Sequence, residues 1–116
     1  MTITEFWDNI GADKEQILAR FVGNAPLAER CTKKYLDDKT FGEFEMAIEE
    51  KDYHKIEMAA HTLKGFAGNL GFDNIQALGQ KIVSDIRADV YDSVEADFAQ
   101  LKAEHEKICE LIHQLD

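Results

Sequence analysis

Apolar residues recur at intervals of three and four along almost the whole chain, and the runs break where helix-capping residues stand. A short first helix is predicted over Thr4–Ile10, with Phe6, Trp7 and Ile10 on one side and Gly11 ending it. A second starts at about Asp13, carries Ile17, Leu18 and Phe21, and stops at Gly23. Asn24 then caps a helix with Pro26 in its first turn and Leu27, Cys31, Tyr35 and Leu36 facing inward. After the polar break Asp37-Asp38-Lys39-Thr40, Thr40 caps a helix bearing Phe41, Phe44, Ala47 and Ile48. Asp52 caps the next, which runs to about Gly68. Gly71 closes the turn, and Asp73 caps a helix carrying Ile75, Leu78, Ile82 and Ile86. In the last, roughly Asp92 to Leu115, the residues Val94, Phe98, Leu101, His105, Ile108, Ile112 and Leu115 alternate steps of four and three. That is the seam of a long bundle helix.

With one proline and no alternating β-branched run, the pattern predicts an all-α fold. Short connections between amphipathic helices predict an antiparallel four-helix bundle with one or two additional short N-terminal helices. The helix around Trp7 is expected to close one end of it. No repeat or linker divides the chain, so residues 1–116 read as a single domain.

Composition then narrows the function. Thirteen Lys and Arg against 23 Asp and Glu give a net charge of −10, which repels nucleic acid, and no basic cluster offsets it. No apolar run approaches the length of a membrane span, and Met1-Thr2-Ile3-Thr4-Glu5 is not a secretory leader, so a cytoplasmic protein is expected. Cys31 and Cys109 form no CxxC pair and suggest neither a disulfide framework nor a zinc site.

The stretch Ala60-His61-Thr62-Leu63-Lys64-Gly65-Phe66-Ala67-Gly68-Asn69-Leu70-Gly71 departs from scaffold. On a helix, Ile56, Ala59, Ala60, Leu63, Ala67 and Leu70 cluster on one side, and His61 falls about 150° away, in solvent. His54, Glu57, Lys64, Gly65 and Gly68 share its face. A glycine inside a helix costs ~1 kcal/mol relative to alanine. Because side chains lean toward the N-terminus, residue 65 would cover residue 61, so Gly65 uncovers the imidazole. Gly68 extends the bare strip by a turn. Lys64 brings an ammonium to the same spot, able to pair with an anion held on the ring. An exposed imidazole, a cation and a flat approach suit phosphoryl transfer to a ring nitrogen. No phosphate-binding glycine loop and no carboxylate cage for Mg²⁺ occur, so an activated donor is expected to arrive on another protein.

His61-Thr62-Leu63-Lys64-Gly65, followed by Ala67 and Gly71 and then Asp73, Ile75 and Leu78, resembles the signature of histidine-containing phosphotransfer (HPt) domains. Arg20-Phe21-Val22-Gly23-Asn24 and Asp52-Tyr53 extend the likeness to stand-alone bacterial members. The resemblance implies a four-helix phosphorelay intermediate in which His61 takes a phosphoryl group from an aspartyl phosphate on a receiver domain and passes it to another. It implies Lys64 as phosphate stabiliser, Gly65 as the access position, and no autokinase or ATP-binding part. No cofactor is expected on this chain, with Mg²⁺ on the receiver. The implied partners are response-regulator receiver domains or a hybrid histidine kinase, with this protein a monomer. Relatives often carry Glu or Gln facing the histidine from the next helix; the aligned residue here is Val83, and Gln80, one turn earlier, is the substitute. Phe66 is bulkier than the small residue common at its position.

Other readings stay in view. Gly68, Glu57, His54 and Gln80 are candidates for docking or for orienting the ring. A helical adaptor that binds receivers without accepting phosphate is the alternative function. A metal site from His54, Glu57 and His61 is geometrically conceivable at i, i+3 and i+7, but leaves Lys64 and Gly65 unexplained. His105 sits at a seam position and reads as a core histidine, His113 as a residue of the last turn, and Gly79 as a close helix crossing.

Overall fold

In the computed structural model, which describes residues 1–116, helices follow one another with short connections and no strand. They are α1 (Ile3–Ile10), α2 (Lys14–Arg20), α3 (Ala25–Lys34), α4 (Thr40–Glu50), α5 (Tyr53–Leu70), α6 (Asp73–Arg87) and α7 (Val94–Ile112), with a 3-10 turn at Tyr35–Asp37. Helices α4 to α7 form the antiparallel four-helix bundle that the periodicity predicts. Three helices rather than one or two precede it.

The caps explain most boundaries. Asp13, Asn24 and Asp52 each accept a hydrogen bond from the backbone N–H three residues on, at 3.1, 3.0 and 3.2 Å. Three starts differ from the sequence reading. Thr2 and Glu5 form a reciprocal capping box, so α1 begins at Ile3. Thr40 is the first residue of α4, and its N–H is taken by the Asp38 carboxylate at 2.8 Å. Phe72 occupies the cap position of α6, because its N–H is drawn back to the Ala67 carbonyl to close α5. Asp73 therefore falls in the first turn, where its charge suits the helix dipole.

One corner of the bundle is built from two pieces. At about 1.5 Å per residue, α4 is far shorter than α5 and covers only its N-terminal half. The rest is filled by α3 and the 3-10 turn, whose Tyr35 packs edge-on against Phe72 at the far end of α5. Phe44 and Phe98 join α4 to α7 with ring centroids 4.8 Å apart. The α6–α7 connection is fixed by Lys81, whose ammonium donates to Asp97 (2.6 Å), Asp85 (3.0 Å) and Ser93 (3.0 Å). Those carboxylates raise the Lys81 pKa, and Lys81 in turn lowers that of Asp85.

Helix α1 closes the end of the bundle as expected. Phe6 and Trp7 are fully buried there, Phe6 against Phe72. Gly71 turns the chain in the left-handed region at φ +85°, and a methyl there would strike the Ile17 side chain and stand 3.2 Å from the Ala12 Cβ. His105 lies at the seam as expected but is half-buried and not part of the core. It stacks on Phe41 at 3.7 Å, with Nδ1 2.7 Å from the Tyr35 hydroxyl and Nε2 3.5 Å from Cys109 Sγ. Burial pushes its pKa down, outweighing the opposing pull of Glu106 and Glu45, and pushes that of Tyr35 up.

Two outcomes follow. Gly71→Ala combines the left-handed strain with the Ile17 collision and is expected to lower the unfolding free energy by more than about 1 kcal/mol, read by urea denaturation. His105 is held neutral below its unfolded value of about 6.5, so the unfolded chain takes up the proton first as pH falls. Stability present above that value is therefore lost on going from pH 7.5 to 5.5. In His105→Gln the loss over the same interval is expected to be smaller; an equal loss would show that His105 does not contribute.

Candidate functional site

Helix α5 buries Ile56, Ala59, Ala60, Leu63, Ala67 and Leu70 and leaves His61 in solvent, as its periodicity requires. Its rotation is set by α6. Gly79 has no side chain, and a Cβ there would stand 3.1 Å from Lys64 Cβ and 3.3 Å from the Ala60 carbonyl oxygen. The two helices meet along that line, and His61 emerges just outside it.

Beside the crossing lies an open groove of about 660 Å³, floored by His61, Lys64, Gly65 and Gly68 of α5 and walled by Gln76 and Gln80 of α6, with Arg20 of α2 at one end. Gly65 has open space around it: a Cβ there meets nothing within 4 Å. Packing does not require a glycine at this position. Gly68 differs from the bare strip expected of it, since a Cβ there would lie 2.6 Å from the Gln76 amide nitrogen. It lets the Gln76 side chain cross α5.

Gln80 does not bond the imidazole. Its Oε1 accepts from the Lys64 ammonium at 2.5 Å, and its Nε2 donates to Ser84 Oγ at 2.8 Å. Val83, aligned with the ring-facing position of relatives, is wholly buried in the core and does not reach the groove. Glu57 is drawn away from His61 into an ion pair with Arg87 of α6 at 2.6 Å. His54 is exposed two turns before His61 and lies outside the groove. No three His, Cys, Asp or Glu side chains are grouped closely enough to hold a metal, and Glu57 is already paired.

Arg20 was not legible as a site residue. Its guanidinium donates to the carbonyls of Gly68 (2.7 Å) and Asn69 (3.3 Å), two of the acceptors that the end of α5 leaves free. It comes from 48 residues upstream, so no local spacing announces it. Gln76 had a readable signal: with Asp73 and Gln80 it forms a polar stripe at i, i+3 and i+7. Both cations of the groove are held by neutral oxygens, and neither forms an ion pair, in contrast to Lys81, Lys102 and Arg87. Asp73 also lines the groove but bridges neither cation, so both remain able to meet an anion.

On the side of His61 away from α6, large apolar side chains stand exposed among Glu43, Glu50 and Lys55. Met46 of α4 and Met58 of α5 are 60% and 57% exposed and line a hollow with Thr62. Phe66 is 40% exposed beside Phe21, Tyr35 and Leu70. Val22, next to Arg20, is 93% exposed and held at φ +55°, an unfavourable state for a β-branched residue. The imidazole thus lies between a polar wall and an apolar rim.

Comparison with known proteins gives one match and two blanks. A family model described as Hpt domain matches residues 38–111. No curated protein and no solved structure matches the chain. No helix is long and apolar enough to cross a membrane. The match runs from the junction before α4 nearly to the end of α7 and holds His61, Lys64 and Gly65. Because it takes in the four bundle helices and well over half of the chain, the protein belongs to the Hpt domain family, the helical bundles of histidine phosphotransfer in phosphorelays, which interact with receiver domains and kinases.

Proposed function

We propose that this protein is a phosphorelay intermediate in which His61 accepts a phosphoryl group from an aspartyl phosphate on a receiver domain and returns it to another. The observation that carries this reading is Gly65. A helical, exposed glycine with free space around it has no packing role, yet it lowers helix stability by ~1 kcal/mol relative to alanine. Access to the ring one turn back accounts for it.

In the forward step an imidazole nitrogen attacks phosphorus, an N–P bond forms, and the acyl-phosphate P–O bond breaks with its electron pair leaving on the partner's carboxylate. Lys64, at i+3 from His61, faces the charge spread over the phosphoryl oxygens. The receiver supplies Mg²⁺; on this chain the work is positioning and charge stabilisation. The apolar rim of Met46, Met58 and Phe66 gives a receiver something to seat against, and the polar wall remains for the phosphoryl group.

Mixing with a ³²P-labelled receiver is expected to give an acid-labile label that His61→Gln abolishes. Label retained by His61→Gln would sink the proposal, and a stable complex without label would favour the adaptor reading. Gly65→Leu is expected to keep the fold, raise the urea midpoint, and slow transfer by at least about tenfold through a misplaced approach. An unchanged transfer rate would defeat the access argument.

A further inference from the structure

We infer that Gln80 is a positioning residue for Lys64, not for the imidazole, and that it holds the ammonium through a neutral oxygen so that its charge stays free for an anion on His61. The functional consequence rests on the reading of His61 as phosphoacceptor; the positioning itself does not.

Three residues of α6 build the seat. Gly79 leaves room for the stem, with its absent Cβ 3.1 Å from Lys64 Cβ and 3.7 Å from Lys64 Cα. Gln80 takes the head at 2.5 Å. Ser84, one turn on, fixes Gln80 in turn by accepting from its Nε2 at 2.8 Å. A free lysine samples many rotamers, and ordering it when the phosphoryl group arrives would cost that freedom. Here the stem is half-buried and the head tethered beforehand.

The choice of an amide matters. Elsewhere, the cations that tie one bundle helix to another are held by carboxylates: Lys81 by Asp97, Lys102 by Glu45, Arg87 by Glu57. A carboxylate at position 80 would hold Lys64 as firmly and cancel its charge. An amide of the same length holds it and leaves the charge in place. With Oε1 on Lys64 and one N–H on Ser84, the Gln80 side chain is committed away from His61.

Two measurements test this. Carbon-13 relaxation at Lys64 Cε, in the unphosphorylated protein, is expected to show a restricted side chain that Gln80→Leu releases; equal mobility in both would overturn the seat. In transfer from a labelled receiver, Lys64→Ala is expected to slow the rate about tenfold and Gln80→Leu about threefold. The double variant should be no slower than Lys64→Ala alone, since the two act through one ammonium. Gln80→Glu should slow transfer more than Gln80→Leu while leaving Lys64 restricted. Additive losses, or a Gln80→Glu rate equal to wild type, would overturn the charge argument. If the wild-type protein takes up no label, the phosphoacceptor reading falls and the relaxation measurement alone decides the seat.

Discussion

The close approach of α6 to α5 at Gly79 governs what the surface presents. With a backbone carbonyl and a lysine stem occupying the space of a missing side chain, α5 has little freedom to roll about its axis. A roll of one residue, about 100°, would carry His61 toward the core or away from the groove. The same contact delivers Lys64 to α6 instead of to solvent. Helix packing and site geometry are here one constraint, so a substitution that loosened the crossing would move imidazole and ammonium together.

Around that crossing the electrostatics run against the grain of the molecule. The chain carries a net charge of −10, and six of its 13 Lys and Arg side chains end on carboxylates. In the groove the ends are an amide oxygen for Lys64 and backbone carbonyls for Arg20. Local positive charge is thus preserved within an acidic surface. Long-range repulsion of polyanions and short-range welcome for a small anion can coexist because screening cuts the first off within about 10 Å.

Much of this was readable in the sequence, for reasons that can be named. The exposure of His61 and the burial of Leu63 and Ala67 follow from helical periodicity, and Asp13, Asn24 and Asp52 are caps because a short oxygen-bearing side chain reaches the N–H three residues on. The starts at Thr40 and Asp73 misled because a residue just upstream was already committed, Asp38 to the Thr40 amide and Phe72 to closing α5. Contacts between distant segments lay beyond reach. The Gln76 side chain over Gly68, the Arg20 clamp and the diversion of Gln80 to Lys64 depend on helix spacing within fractions of a helical turn, which pattern alone does not set. Val83 shows the same limit: the position that the resemblance sets opposite the ring is core in this chain.

The split corner of the bundle has a consequence for how such a chain can change. Because α3 and α4 are separate pieces joined at Asp38–Lys39, a change of length at that joint interrupts no helix and shifts no register within α5. The family match begins at this joint. Upstream, the chain is bound to the bundle by Phe6 and Tyr35 against Phe72, by Tyr35 on His105, by Ile17 under Gly71 and by Arg20 on the last carbonyls of α5. The N-terminal helices are therefore part of the bundle's own core, with Phe6, Trp7 and Tyr35 buried in it, while the helix that aims the histidine begins only beyond the joint.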